Sequence, residues 1–505
     1  MKRIYRQDLL NIIVLMLVGG VVYFTPVVVR GMPLGDGGLF YRFIQVILHN
    51  EFMMPATVLY NGESLPFAYP PLAFYVAAAF VRMTSFSLLD VFRWLPPVLL
   101  LFHIPLFYIL TAQIFDAPFF KIGATLLFVT DYLRYEWLLM GGGIARALGY
   151  GFALAGGIFL VRFIKKPTMR MLFLASLLGG GVALAHSGTA FAYLLYLEGA
   201  IIYVVLKTPR TASRIRTIIT YHAMAGGTIA LVSMPWWLHV YFSYGLAPLH
   251  SALFSGHKGW YVSILQWPFW PYIPLVLSGW ILFWASIGLW NPNYRFRGWL
   301  FLCVSAAFLL APRAPLRYSA VCMAWLAQMG IEIPWRHLER HILVRRIFAA
   351  WVVTTLVVAS VWQAVQIPGL TRNDMAFMMN LKNITVPDNY LLVLPLPAGW
   401  GGDFYHEWLP ALTELKSPWL VQGSEWNGHS RERIEERERV ISVLHQYGMK
   451  SLCELLIQKN IKYVWVLDGH PWIADAVASI SRVPAKVEND AGWLFSIDIA
   501  TISCP

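Results

Sequence analysis

Twelve apolar stretches divide residues 1–369, near 9–29, 67–84, 94–113, 117–132, 147–163, 171–186, 188–206, 217–240, 271–290, 298–312, 315–331 and 347–366. A bilayer core takes about 20 apolar residues per helical crossing. Lipid offers backbone N–H and C=O groups no partners, so a chain divided in this way is limited to a bundle of spanning helices. Composition agrees. Of 505 residues, 58% are hydrophobic and 13% charged, against about a quarter charged in a soluble domain. The 22 Trp and 24 Tyr suit the aromatic belts at membrane–water boundaries. The sequence predicts an α-helical polytopic membrane protein with about 11–13 crossings.

Charge divides the chain near residue 370. Residues 1–369 hold 27 Lys+Arg against 11 Asp+Glu, a net +16, and residues 370–505 hold 12 against 16, a net −4. The basic excess concentrates in the connectors 162–170, 207–216, 293–297 and 336–346. Two spans separate each from the next, so the positive-inside rule places all four in the cytoplasm and sends residues 370–505 to the other side. No basic cluster comes with a nucleic-acid-binding signature, so no nucleic-acid partner is expected. Twelve crossings would leave both termini on one side, yet the basic start MKRIYRQ belongs in the cytoplasm. One of the three segments between 67 and 132 is therefore non-spanning, or a further span exists.

The first outer loop, 30–66, opens with GMPLGDGGLF, which sets Asp36 among glycines where the chain leaves its first helix. A carboxylate at that depth is costly without a partner or a function. Its alternative is a turn or cap aspartate. FYRFIQVILHNEF follows with helical periodicity and would lie along the membrane surface. In the tail, NYLLVLPL and IKYVWVL read as strands, and SRERIEERERVISVLHQYG as a charged helix capped at Ser430. These make a small α/β unit. Cys453 and Cys504 could pair if it lies outside the cytoplasm, although two cysteines make no framework.

GDGGLFYRFIQVILHN, PFAYPPLAFY, GGGIARALGYGFALA, AHSGTA and PWWLHVYFSYGLAPLHSA resemble the GT-C superfamily of polyprenyl-phosphate-dependent glycosyltransferases. The likeness is to its bacterial and archaeal glycosyltransferase-like membrane proteins, some labelled 6-pyruvoyl-tetrahydropterin synthase-related, a label from which no pterin chemistry follows. HEWLPALTELKSPWLVQGSEW is similar to their outer C-terminal domain. The resemblance implies residues 1–369 as the transmembrane domain and 370–505 as an extracytoplasmic α/β domain. It implies a cell-membrane enzyme that moves a sugar from a polyprenyl-phosphate donor to a protein, lipid or glycan acceptor. Where relatives carry an acid or acidic pair, this chain has Asp36 followed by glycine. Asp36 would be the base that activates the acceptor, with inversion at the anomeric carbon.

Several residues are candidates beside Asp36, each with an ordinary alternative. His49 and Glu51 close the surface helix and could line an acceptor groove, or simply be solvated. Glu136 or Asp131 could be the second acid of the resemblance, with a divalent cation such as Mg or Mn, or could pair with Arg134. Arg313 and Arg317 in APRAPLRY offer planar forks of donors for the donor phosphate, as does Arg146. Headgroup anchoring or an ion pair with Asp36 or Glu136 would also explain them. His186 matches a position where relatives often carry histidine. His257 and Lys258 lie in a loop, 241–270, fit to contact sugar or lipid. Glu198, midway along an apolar helix, is a functional flag by default, or is satisfied by a neighbouring helix. His337 and His341 lack a HExxH pattern and read as a solvated anchor. Asn383-Ile384-Thr385 is a glycosylation triplet. Against the enzyme stand two readings: a transporter or flippase of lipid-linked sugars, for which internal repeats are expected and none is found, and a catalytically silent envelope scaffold.

Overall fold

The computed structural model describes residues 6–207, 212–254, 272–291, 300, 315–338, 341–397, 399–482, 484–502 and 504. Helix α1, Arg6–Arg30, turns one stripe inward: Ile12, Leu15, Val22, Tyr23 and Val27 are buried. Leu10, Leu17, Val21 and Val28 point the other way and stay exposed, as suits a helix with one face in lipid. Helix α4, Leu88–Thr111, runs antiparallel to it. Near the start of α1, Tyr108 donates to Asp8 Oδ1 at 2.7 Å; near its end, Trp94 stacks on Phe24 with ring centres 6.1 Å apart. Helix α5, Pro118–Thr130, returns alongside. Lys121 Nζ meets Asp8 Oδ1 at 2.7 Å, and further along Tyr23 donates to the Val129 carbonyl at 2.9 Å.

This arrangement answers for the 67–84 segment. α1 ends and α4 begins on one face, so the 67–84 segment between them does not cross. Its helix α3, Leu72–Met83, has 12 residues, a length of about 18 Å against a hydrocarbon core of about 30 Å. Among the described residues, six helices are long and apolar enough to cross: α1, α4, Gly141–Lys165, Ser187–Lys207, Arg214–Tyr244 and Ile342–Val365. Segment 298–312 lies outside the described residues apart from Leu300.

The expected surface helix is α2, Gly38–His49, which buries Leu39, Phe40, Phe43, Ile44 and Ile47 at three- and four-residue spacing. After it comes a hairpin that helical periodicity could not foreshadow: β1, Thr57–Tyr60, pairs antiparallel with β2, Glu63–Pro66. Asn61 and Gly62 turn it with φ of 54° and 79°, the left-handed pair that a tight hairpin favours.

Beyond residue 370 a four-stranded sheet forms, in the order β3-β4-β6-β5, with β3 Tyr390–Leu394, β4 Ile461–Leu467, β5 Val487–Asn489 and β6 Gly492–Ser496. β3 and β4 run parallel and the other pairs antiparallel. Alternation along the strands splits its side chains. Leu392, Leu394, Val464 and Val466 pack with the tail's own helices. Leu391, Val393, Tyr463 and Trp465 join a core continuous with Phe43, Phe67 and Phe74 of the first loop and α3. Cys453 and Cys504 are disulfide-bonded. The charged helix runs Ser430–Tyr447, and its cap is His429, not Ser430. The His429 carbonyl accepts from the Arg433 amide at 3.0 Å, which places His429 at the helix edge.

Candidate active site

The chain leaving α1 is fastened on two sides before it reaches α2. Gly35 N–H donates to the Pro368 carbonyl at 2.8 Å, and the carbonyls of Leu34 and Asp36 accept from Gly141 and Gly142 at 2.7 and 2.8 Å. Gly141–Gly143 form a single 3-10 turn between α6, Tyr132–Leu139, and α7, Ile144–Lys165. Asp36 is thereby held by residues distant from it in sequence. Its Oδ2 lies 3.4 Å from Arg146 Nη2, while its Oδ1 is buried and makes no hydrogen bond. Buried carboxylate oxygens are normally satisfied, so this one is an exception.

Arg146 stands in the first turn of α7, donates to the Trp137 carbonyl at 3.2 Å and lies over the Trp137 ring, 5.4 Å from its centre. Arg317, in the first turn of the Pro315–His337 helix, faces Arg146, Glu136 and Tyr318, and its Nε is buried without a partner. Glu136, on α6, is raised by burial, against the opposing pull of the Tyr132 hydroxyl and Arg317. His186 follows the last residue of α8, Met169–Ala185, and its Nδ1 accepts from the Thr189 amide at 3.0 Å, so Nε2 carries the proton of the neutral ring. Burial, Arg146 and Arg317 all hold it well below the usual histidine range. Tyr69 closes the group, its ring 6.1 Å from that of His186 and 5.6 Å from Trp426.

From Tyr318 an apolar cleft runs between α7, α9 (Ser187–Lys207) and the Pro315–His337 helix, lined by Tyr150, Leu154, Ala192, Tyr196, Val321 and Trp325. The cleft thus reaches the residue that follows Arg317 in sequence.

No protein-family model matches the chain, and no curated protein matches it in sequence. Solved structures do. The Archaeoglobus fulgidus oligosaccharyltransferase, in its complex with Zn and sulfate, aligns over 93% of this chain and 69% of its own, at 13% identity and TM-score 0.57. ArnT from Cupriavidus metallidurans aligns over 97% and 98%, at 12% identity and TM-score 0.57. The mycobacterial arabinofuranosyltransferase AftD aligns over 90% of this chain and 35% of its own, at 15% identity and TM-score 0.55. All three are GT-C glycosyltransferases. This chain has the GT-C fold.

On the GT-C scaffold, the structure brings together Asp36, Glu136, Arg146, His186 and Arg317. Asp131 and its neighbour Arg134 stand elsewhere, in the packing of α1 against α5. His49 and Glu51 are exposed at the far end of α2, some 17 Å of helix from Asp36. Arg313, His257 and Lys258 lie outside the described residues. Glu198 meets His222 at 2.8 Å. Among the described residues, no three of His, Cys, Asp and Glu gather as a metal cage. The cation beside Asp36 in the structure is the Arg146 guanidinium.

Two residues escaped the sequence reading. Tyr69 precedes Pro70 and Pro71, and in sequence that stretch reads only as a helix start. Glu407, on the Phe404–Leu412 helix, accepts at Oε1 from the amides of Gly37 and Leu39 at 3.0 and 3.5 Å. Its only signal was its place in the C-terminal stretch that resembles GT-C relatives.

Proposed function

We propose that this protein is an integral membrane glycosyltransferase that takes its sugar from a polyprenyl-phosphate donor. The observation that carries the reading is the unpartnered Asp36 Oδ1 in a pocket shared with Arg146 and Arg317. The acceptor's O–H donates to Oδ1, and as its oxygen bonds to the anomeric carbon Asp36 takes the proton. The bond from that carbon to the phosphate oxygen breaks, its electron pair leaves with the polyprenyl phosphate, and configuration inverts. Arg317, with Arg146 behind it and Arg313 nearby in sequence, stabilises the charge on the departing phosphate. The neutral His186 adds a hydrogen-bond donor. The apolar cleft takes the start of the polyprenyl chain. Structural neighbours bound to dolichol phosphate and to undecaprenyl phosphate support a donor of this class, and a neighbour tethered to an acceptor peptide supports transfer to an acceptor.

The same reading makes residues 370–505 the extracytoplasmic domain. A disulfide between Cys453 and Cys504 is at home in an oxidising compartment, and the basic connectors set the opposite face in the cytoplasm. In intact cells an impermeant maleimide should label Cys504 only after reduction. Labelling that also needs permeabilised membranes would invert the topology.

The decisive experiment is release of polyprenyl phosphate from a synthetic polyprenyl-phospho-sugar by purified protein. A transporter or a silent scaffold releases none.

A further inference from the structure

Helix α2 starts immediately after Asp36, and its cap position, Gly37, has no side chain to receive the first amides. Glu407 receives them from 370 residues away along the chain. The grip has further points. Trp408 Nε1 donates to the Gly35 carbonyl at 3.0 Å, and Tyr60 donates to the Glu407 carbonyl at 2.6 Å. A Cβ at Gly38 would run into that same carbonyl, so the loop and the Phe404–Leu412 helix meet backbone to backbone. Gln422 Nε2 donates to the second oxygen, Oε2, at 3.3 Å. Glu407 is 3% exposed.

We propose that Glu407 is a positioning residue for Asp36, a carboxyl supplied by the C-terminal region that caps α2 and so fixes where the base sits. The inference rests on Asp36 being the base. It gives the C-terminal region a part in the reaction: without Glu407, the amides of Gly37 and Leu39 lose their side-chain acceptor.

The groups around Glu407 add a pH dependence. Asp36 faces it from the loop and Glu425 from the Ser424–Trp426 turn, and Tyr60 lies alongside from β1. Burial, then Asp36 and Glu425, push its carboxyl up to about 8 against the pull of the Gly37 and Leu39 amides. While its carboxyl is protonated, Glu407 adds no negative charge near an anionic donor. Ionisation near pH 8 puts a second charge beside Asp36, so donor KM should rise there.

The test uses full-length protein with Glu407→Gln and Glu407→Ala, and the synthetic donor as substrate. Gln keeps an oxygen for the two amides and cannot ionise. Glu407→Gln should turn over within about threefold of wild type at pH 7 and lose the alkaline rise in donor KM. Glu407→Ala should lower kcat about tenfold. Hydrogen exchange of the 35–44 segment reads the cap without reference to activity. Exchange should accelerate about tenfold in the Ala variant and stay near wild type in the Gln variant. Unchanged exchange in the Ala variant overturns the proposal, as does a Gln variant as slow as Ala at pH 7 while both remain folded. If Asp36→Asn were active, the base assignment would fall, and the exchange measurement would still report on the cap.

Discussion

Two aspartate–arginine neighbours sit close in this molecule and do different work. Arg134 is wholly buried, donates to the Phe128 carbonyl at 2.8 Å and to the Tyr23 hydroxyl at 2.5 Å, and lies 4.0 Å over the Phe128 ring. Asp131, at the cap of α6, has that guanidinium and the amides of Leu133 and Arg134 around its carboxylate. Those contacts tie α5 and α6 to α1; the Arg134 Nη1 is buried without a partner, so it is the carboxylate oxygens that separate this pair from the other. Asp36 and Arg146 touch at 3.4 Å, and one carboxylate oxygen and the Nε of nearby Arg317 are left buried with nothing to bind. A satisfied charge stabilises a structure, whereas an unsatisfied one keeps a binding free energy in reserve for a ligand.

Asparagine at the two aspartates gives the widest separation. Asp36→Asn should lower turnover about 100-fold or more, at an unchanged melting temperature. Asp131→Asn should leave turnover within a factor of about two and lower the melting temperature by a few degrees. Equal loss of rate in both variants would erase the distinction and reopen Asp131 as a second site acid.

Lysine at the arginines comes next. Arg317→Lys loses the planar fork, so donor KM should rise about tenfold. Arg134→Lys cannot reach both Phe128 and Tyr23, so it should destabilise the protein without altering donor KM. Donor kinetics unmoved by Arg317→Lys would return that residue to anchoring.

Much of this was legible in the sequence, for a physical reason. Spanning helices are written as long apolar runs, so the bundle and its basic connectors could be read directly. Strands β3 and β4 stood out because their residues are apolar on both faces. Asp36 was legible because a charge among glycines at a membrane boundary is costly. What could not be read was pairing at a distance. Nothing local separates Asp131 from Asp36, and nothing in HEWLPAL says that Glu407 caps a helix that starts at residue 38. The non-crossing 67–84 segment was likewise hidden, because its apolar residues face protein in a short helix and look like a span.

The smallest effect concerns a third carboxylate, Asp403, which belongs with Asp131 and not with Asp36. Its Oδ2 accepts from Arg437 at 2.8 Å, and its Oδ1 lies 2.7 Å from His406 Nδ1. The Val393 amide donates to His406 Nε2 at 3.1 Å, so that lone pair is occupied and Nδ1 carries the proton toward Asp403. Arg437 also donates to the Pro397 carbonyl at 2.8 Å. Both oxygens of Asp403 are therefore committed, and a site role is not expected. Burial pushes its carboxyl up, but His406 and Arg437 outweigh it and hold the group below the usual aspartate range. A depressed carboxyl contributes stability that is present above the unfolded value near 4 and lost as pH falls through the folded one. Asp403→Asn keeps an acceptor oxygen, so it should cost about 1 kcal/mol at pH 7. That gap should close progressively below about pH 4, as measured by denaturation in detergent. Because Asp403 starts the helix that carries Glu407, turnover should fall only as far as the helix loosens. A variant of full stability and poor turnover would place Asp403 on the functional side of the comparison, and satisfaction of its oxygens would no longer separate the two classes.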